Sequence, residues 1–195
     1  MITRILLILT MSLTANSYAD KFDSTADKKK ITARLDMTYI PIGVIKFTND
    51  NSSYDFYDNL AYRFSIEYHL SELISIGPGF EYLPKNVNPH ASFNDDITLS
   101  NYYLDCRFNH TLIDSGTSYM IFGVGTGFSR LKESNGGGSD GFCLYGMVGF
   151  DIALYKSAGI DLFYRYQVNE ITIDDRIYRF NGSAIQAGLN YRFWF

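Results

Sequence analysis

Apolar and polar residues alternate along most of this chain. In LAYRFSIEYH, Leu60, Tyr62, Phe64, Ile66 and Tyr68 share one face, while Ala61, Arg63, Ser65, Glu67 and His69 share the other. In IDLFYRYQV, Ile160, Leu162, Tyr164, Tyr166 and Val168 oppose Asp161, Phe163, Arg165 and Gln167. Successive side chains leave a β-strand on opposite sides, so this pattern marks strands whose two faces meet different surroundings. The same reading predicts eight strands, over 31–46, 60–69, 74–83, 98–109, 118–131, 142–154, 158–168 and 183–195. Most have the roughly 9–11 residues that a tilted strand needs to cross a bilayer. An even count lets an antiparallel sheet close on itself with both chain ends on one side.

The linkers alternate in length. Those around 47–59, 84–97, 132–141 and 169–182 are long and polar, and those around 70–73, 110–117 and 155–157 are shorter. Long connections at one end and short turns at the other suit a membrane barrel with both termini on the short-turn side. Pro41 and Pro78 fit poorly, since each removes a ladder hydrogen bond from a strand. A bulge or strand end is expected at Pro41, and a local bulge beside Gly77 and Gly79 at Pro78.

Which face is apolar decides between a membrane barrel and a soluble, lipocalin-like one. The apolar parity carries Tyr62, Tyr82, Tyr102, Phe128, Phe142 and Tyr166 towards the long-linker rim. It carries Tyr68, Phe108, Phe150, Phe193 and Phe195 towards the other rim, as two aromatic girdles would require. The polar parity carries Arg34, Asp36, Arg63, Glu67, Glu81, Asp105, Arg107, Asp151, Asp161, Arg165 and Arg192, with no lysine. On a lipid face each midplane arginine would cost about 2–4 kcal/mol. Turned inward, guanidinium forks and carboxylates can pair. The expected fold is therefore all-β: a closed, eight-stranded antiparallel transmembrane barrel with a charged, plugged interior and both termini periplasmic.

Composition agrees. Of 195 residues 16 are Tyr and 15 Phe, with only 4 Pro. The net charge of −4 and the lack of a basic, aromatic-interleaved patch argue against a nucleic-acid partner. Residues 1–19 read as a signal peptide: Arg4, an apolar run from Ile5 to Leu13 and Ser17-Tyr18-Ala19 as the cleavage site. Residues 20–30 read as a disordered periplasmic tail, leaving 31–195 as the barrel domain. Cys106 and Cys143 fall on opposite faces of non-adjacent strands, which predicts two free thiols.

The chain ends on LNYRFWF, with Ala187, Leu189, Tyr191, Phe193 and Phe195 at alternating positions. This ending resembles the C-terminal signal of outer-membrane barrels, which implies recognition by the barrel-assembly machinery. The barrel as a whole resembles the small eight-stranded outer-membrane family of the OmpA transmembrane domain and OmpX. That resemblance implies integral outer-membrane localisation in a Gram-negative envelope, contact with outer-membrane lipid and lipopolysaccharide (LPS), and extracellular long loops.

Eight strands enclose a lumen just wide enough for side chains to fill, so porin-like conduction is not expected. A structural or surface-interaction role is expected, with a surface ligand, if any, held by loops such as 84–97 and 169–182. Two alternatives remain, a narrow channel and an enzyme. His69-Leu70-Ser71, with Glu72 and Glu81, resembles the His-x-Ser pair and acid of lipid A 3-O-deacylases. A nucleophilic Ser needs a base and an orienting acid within reach, and here the pair falls at a periplasmic turn, so no catalytic residue is assigned. His90 and His110 are scattered, and no cofactor or metal is indicated.

Overall fold

The computed structural model describes residues 30–47, 53–86, 97–112, 118–133, 138–155, 157–173 and 176–194. The expected signal peptide, almost all of the expected tail and Phe195 lie outside the described residues. Eight strands run in order: β1 (Lys30–Phe47), β2 (Ser53–His69), β3 (Ile74–Asn86), β4 (Ile97–Thr111), β5 (Tyr119–Glu133), β6 (Gly138–Tyr155), β7 (Ala158–Ile173) and β8 (Arg176–Trp194). Each pairs antiparallel with its chain neighbours, and β8 returns to β1, closing the barrel. Closure leaves no sheet edge, so the strand backbones pair within the protein.

The alternation governs which way side chains point. Leu35, Phe64, Leu104, Phe122, Val124, Leu144, Leu162 and Leu189 are exposed on the outside. All eleven charged residues assigned to the inner face are buried. The barrel is thus inside out relative to a soluble one. The aromatic rims line up in register: Tyr62 faces Tyr82, and Tyr102, Phe128 and Phe142 form one cross-strand row. At the other end Phe193 faces Ile31, which faces Tyr68.

The strands extend further than the alternation of apolar outer residues predicts. Much of the sequence expected as long loops at 47–59, 132–141 and 169–182 is strand, so β7 reaches Ile173 and β8 begins at Arg176. The polarity reverses there while the geometry continues. Arg130 and Lys132 point outward beyond Phe128, with Leu131 buried between them. Glu170 and Thr172 point outward on β7, with Ile171 buried. Ile40, Leu83, Leu99 and Ala184 are likewise buried at this end. Outside hydrocarbon, water is the outer solvent, so these hairpin extensions revert to the apolar-inside rule of soluble proteins. β1 also begins one residue earlier than expected, and its Lys30 is a buried lysine, 5.0 Å from the centroid of the Tyr119 ring.

Pro41 lies where the β1–β8 register shifts between Tyr39 and Ile42, which confirms a bulge. Pro78 differs from expectation. It keeps its place opposite Leu104 on β4, and the β2–β3 register is the same on both sides of it, Ser65 facing Gly79 and Tyr68 facing Ile76. There is no bulge: the β2–β3 ladder lapses and resumes, because Pro offers no N–H towards β2. Cys143 is buried, Cys106 is half-buried on the outer parity, and both are free. Among the described residues no helix is long and apolar enough to cross a membrane.

Candidate functional site

The lumen holds the only dense chemistry among the described residues, and the strand parity puts it there. Arg34 sits at the centre of the turn-end cluster. Its Nε donates to Glu67 Oε1 at 2.9 Å, its Nη2 to Asp151 Oδ2 at 2.9 Å, and its Nη1 to Asp161 Oδ1. Arg192 binds the other oxygen of Asp151. Asn190 Nδ2 reaches Asp151 at 3.2 Å and Asp161 at 3.0 Å. Glu67 also takes Ser75 Oγ at 3.3 Å and lies 3.0 Å from Arg107 Nε.

A second layer lies towards the hairpins. Arg63 Nη2 donates to Asp105 and, at 2.6 Å, to Tyr145 Oη, while Tyr145 donates to the other Asp105 oxygen. The Arg63 guanidinium stacks 4.7 Å from the Tyr145 ring and 4.9 Å from the Tyr103 ring. Above it, Arg165 pairs with Glu81, which also accepts from Asn101 at 3.1 Å and Tyr103 at 3.2 Å. Every carboxylate in these layers has a cationic or amide partner, as burial of charge demands.

Sequence reasoning found the charges and missed what packs between them. Tyr103, Ile121, Cys143, Tyr145, Met147 and Phe163 form a buried apolar cluster in the same lumen. A signal for it was present in FGVGTGF on β5. The inward Gly125 faces Tyr145, and a Cβ there would fall 2.1 Å from the ring. Small inward residues on one strand make room for rings from the next. Gly188 on β8 does the same for Asp36, whose Oδ1 lies 2.1 Å from where a Cβ would stand.

His69 and Ser71 of the His-x-Ser pair each bond to local structure. His69 Nε2 is hydrogen-bonded to Thr32 Oγ1 at 2.8 Å. Ser71, exposed in the turn, accepts the amides of Leu73 at 3.2 Å and Ile74 at 3.1 Å, so its oxygen shapes the turn. Glu81 is engaged deep in the barrel with Arg165. Among the described residues no group of three or more His, Cys, Asp or Glu side chains could hold a metal ion.

Residues 5–193 match the family model described as outer membrane protein beta-barrel domain. No curated protein matches the sequence. Among solved structures, Neisserial surface protein A is similar at 15% identity and a TM-score of 0.63, covering 84% of this chain and 97% of its own. OprG of Pseudomonas aeruginosa is similar at 11% identity and a TM-score of 0.53, covering 84% and 95%. The N-terminal barrel of OprF from the same organism gives 9% identity and a TM-score of 0.52, covering 85% and 97%. At these identities the likeness is one of fold. The closed barrel with an apolar exterior and the match across nearly the whole sequence together place this chain in the outer membrane protein beta-barrel domain family.

Proposed function

We propose that this outer-membrane protein is a closed, non-conducting barrel with a structural and surface-presenting role. The observation that carries this reading is the lumen itself, in which Arg34 ties β1 to β2, β6 and β7 through Glu67, Asp151 and Asp161. A guanidinium bonded to three strands spans the space that a pore would need. In this reading the termini are periplasmic and the hairpins reach the cell surface. The apolar exterior meets outer-membrane lipid and LPS, and the C-terminal strand is read by the barrel-assembly machinery. No catalytic role is proposed, because His69 and Ser71 serve the strand end and the turn.

The test is a planar-bilayer recording of the purified barrel. No stable open state is expected at neutral pH. Stepwise, ion-selective conductance would show that the lumen charges line a hydrated path and would reject the plugged reading. Protease or antibody access to the hairpins on intact cells tests the orientation.

A further inference from the structure

The wall of the barrel is not equally joined all round. Between β2 and β3, Tyr62 to Ser65 pair with Gly79 to Tyr82, and Tyr68 and His69 pair with Ser75 and Ile76, while Ile66 and Glu67 stand outside the ladder. On the far side of β3, pairing with β4 runs unbroken from Ile74 to Leu83. On the far side of β2, pairing with β1 extends from Tyr68 up to Ser53.

Two prolines account for the difference. Successive backbone N–H groups along a strand address alternate neighbours. Pairing with β4 is unbroken through Pro78, so the N–H that Pro78 lacks is the one that would reach the Ile66 carbonyl on β2. Pro84 has the same parity six residues on, and the β2–β3 pairing stops short of it, at Tyr62 and Tyr82. Above that point, among the described residues, β2 pairs with β1 alone. Proline in a sheet belongs on an edge, and β3 carries that edge pattern on the side facing β2.

The two strands still lie close, since a Cβ on Gly77 would fall on the Ile66 carbonyl oxygen. Side chains join them where the ladder does not. Glu67, fully buried at the break, accepts from Ser75 Oγ on β3 at 3.3 Å and from Arg34 Nε on β1 at 2.9 Å. It also lies 3.0 Å from Arg107 Nε on β4. One carboxylate therefore links β2 to three other strands across the interruption.

We propose that the β2–β3 seam is a hinge in the barrel wall, with Glu67 as the strap that draws it shut. The β1–β2 and β3–β4 hairpins part there reversibly while the remaining seams stay closed, a local opening well below the cost of global unfolding. This goes beyond the structural role proposed above and rests on neither conductance nor orientation.

The test is amide hydrogen exchange, read by NMR on the full barrel in lipid nanodiscs. By the alternation above, the amides of Phe64, Ile66, Ile76 and Phe80 address the seam. Those of Ser65, Glu67, Gly77 and Gly79, on the same two strands, address β1 or β4. Opening of the seam alone exposes the first set, whereas unfolding exposes both. Lower protection factors are therefore expected for the first set than for the second. Pro78→Val, on the exposed outer face, restores the N–H towards Ile66 and should slow exchange of the first set roughly fivefold, as one regained hydrogen bond implies. Glu67→Gln, scored on protein that keeps heat-modifiable gel migration, should speed the first set and leave the second in place. Equal protection of both sets in the unsubstituted barrel overturns the hinge, as does a Pro78→Val barrel with unchanged exchange. Faster exchange of both sets alike in Glu67→Gln overturns the role of Glu67 as the strap.

Discussion

Replacing Arg34 with Met removes one guanidinium from three carboxylates, and the structure says which is left most exposed to the loss. Glu67 keeps Arg107 at 3.0 Å and Ser75 at 3.3 Å. Asp151 keeps Arg192 and Asn190. Asp161 keeps only Asn190, at 3.0 Å, and its Oδ2 already lacks a partner. Deleting one side of a buried ion pair costs about 3–5 kcal/mol, chiefly as the penalty of an uncompensated buried charge. R34M should therefore lose about that much stability, and R34M combined with D161N should regain at least about half of it, since the orphaned charge is gone. Equilibrium urea unfolding in detergent, followed by tryptophan fluorescence and by the heat-modifiable gel shift, measures both. The surface pair Arg130–Asp140, with side chains 56% and 61% exposed, is the control, and R130Q should leave the midpoint in place. If R34M unfolds at the wild-type midpoint, or D161N fails to rescue it, Arg34 is not the tie between strands described here.

Three further outcomes follow from the same geometry. G125A should destabilise the barrel by about 1–3 kcal/mol in the same unfolding assay, because the added methyl meets the Tyr145 ring that donates to Asp105. L104R, on the exposed outer face, should cost about 2–4 kcal/mol in lipid vesicles, whereas T172R, beyond the polarity reversal, should be tolerated; equal effects would misplace the edge of the hydrocarbon. H69A and S71A should leave the lipid A profile of expressing cells unchanged by mass spectrometry, and removal of an acyl chain that depends on either residue would restore the enzyme alternative.

The strands and their inward charges were legible because one rule, apolar outward, holds while hydrocarbon surrounds the barrel. On β7 it reads correctly from Ile160 to Val168 and then fails at Glu170 and Ile171, where the chain is still paired but the outer solvent has changed. A segment that obeys the opposite rule looks like a loop to a reader using the first. The apolar packing inside was hidden for a different reason. Tyr145 and Phe163 sit on the polar parity, and only their facing partners Gly125 and Gly149 betray that the lumen has room for them. Pairing partners come from register, which alternation alone does not supply. The salt-bridge partners were beyond reach for the same reason: Arg34 binds Asp161, 127 residues away.

Gly188 has a consequence for how the cylinder shuts. When β8 comes to lie against β1, a slip of two residues preserves every inward and outward direction, so neither lipid nor lumen polarity rejects it. Steric fit does. In the native register Asp36 faces Gly188, with its carboxylate filling the space that any Cβ would take. A slip of two in either direction puts Gln186 or Asn190 opposite Asp36, and their side chains have no room there. The seam therefore admits the native register because Gly188 has no side chain opposite Asp36, and it opposes the two neighbouring registers because each brings a side chain there.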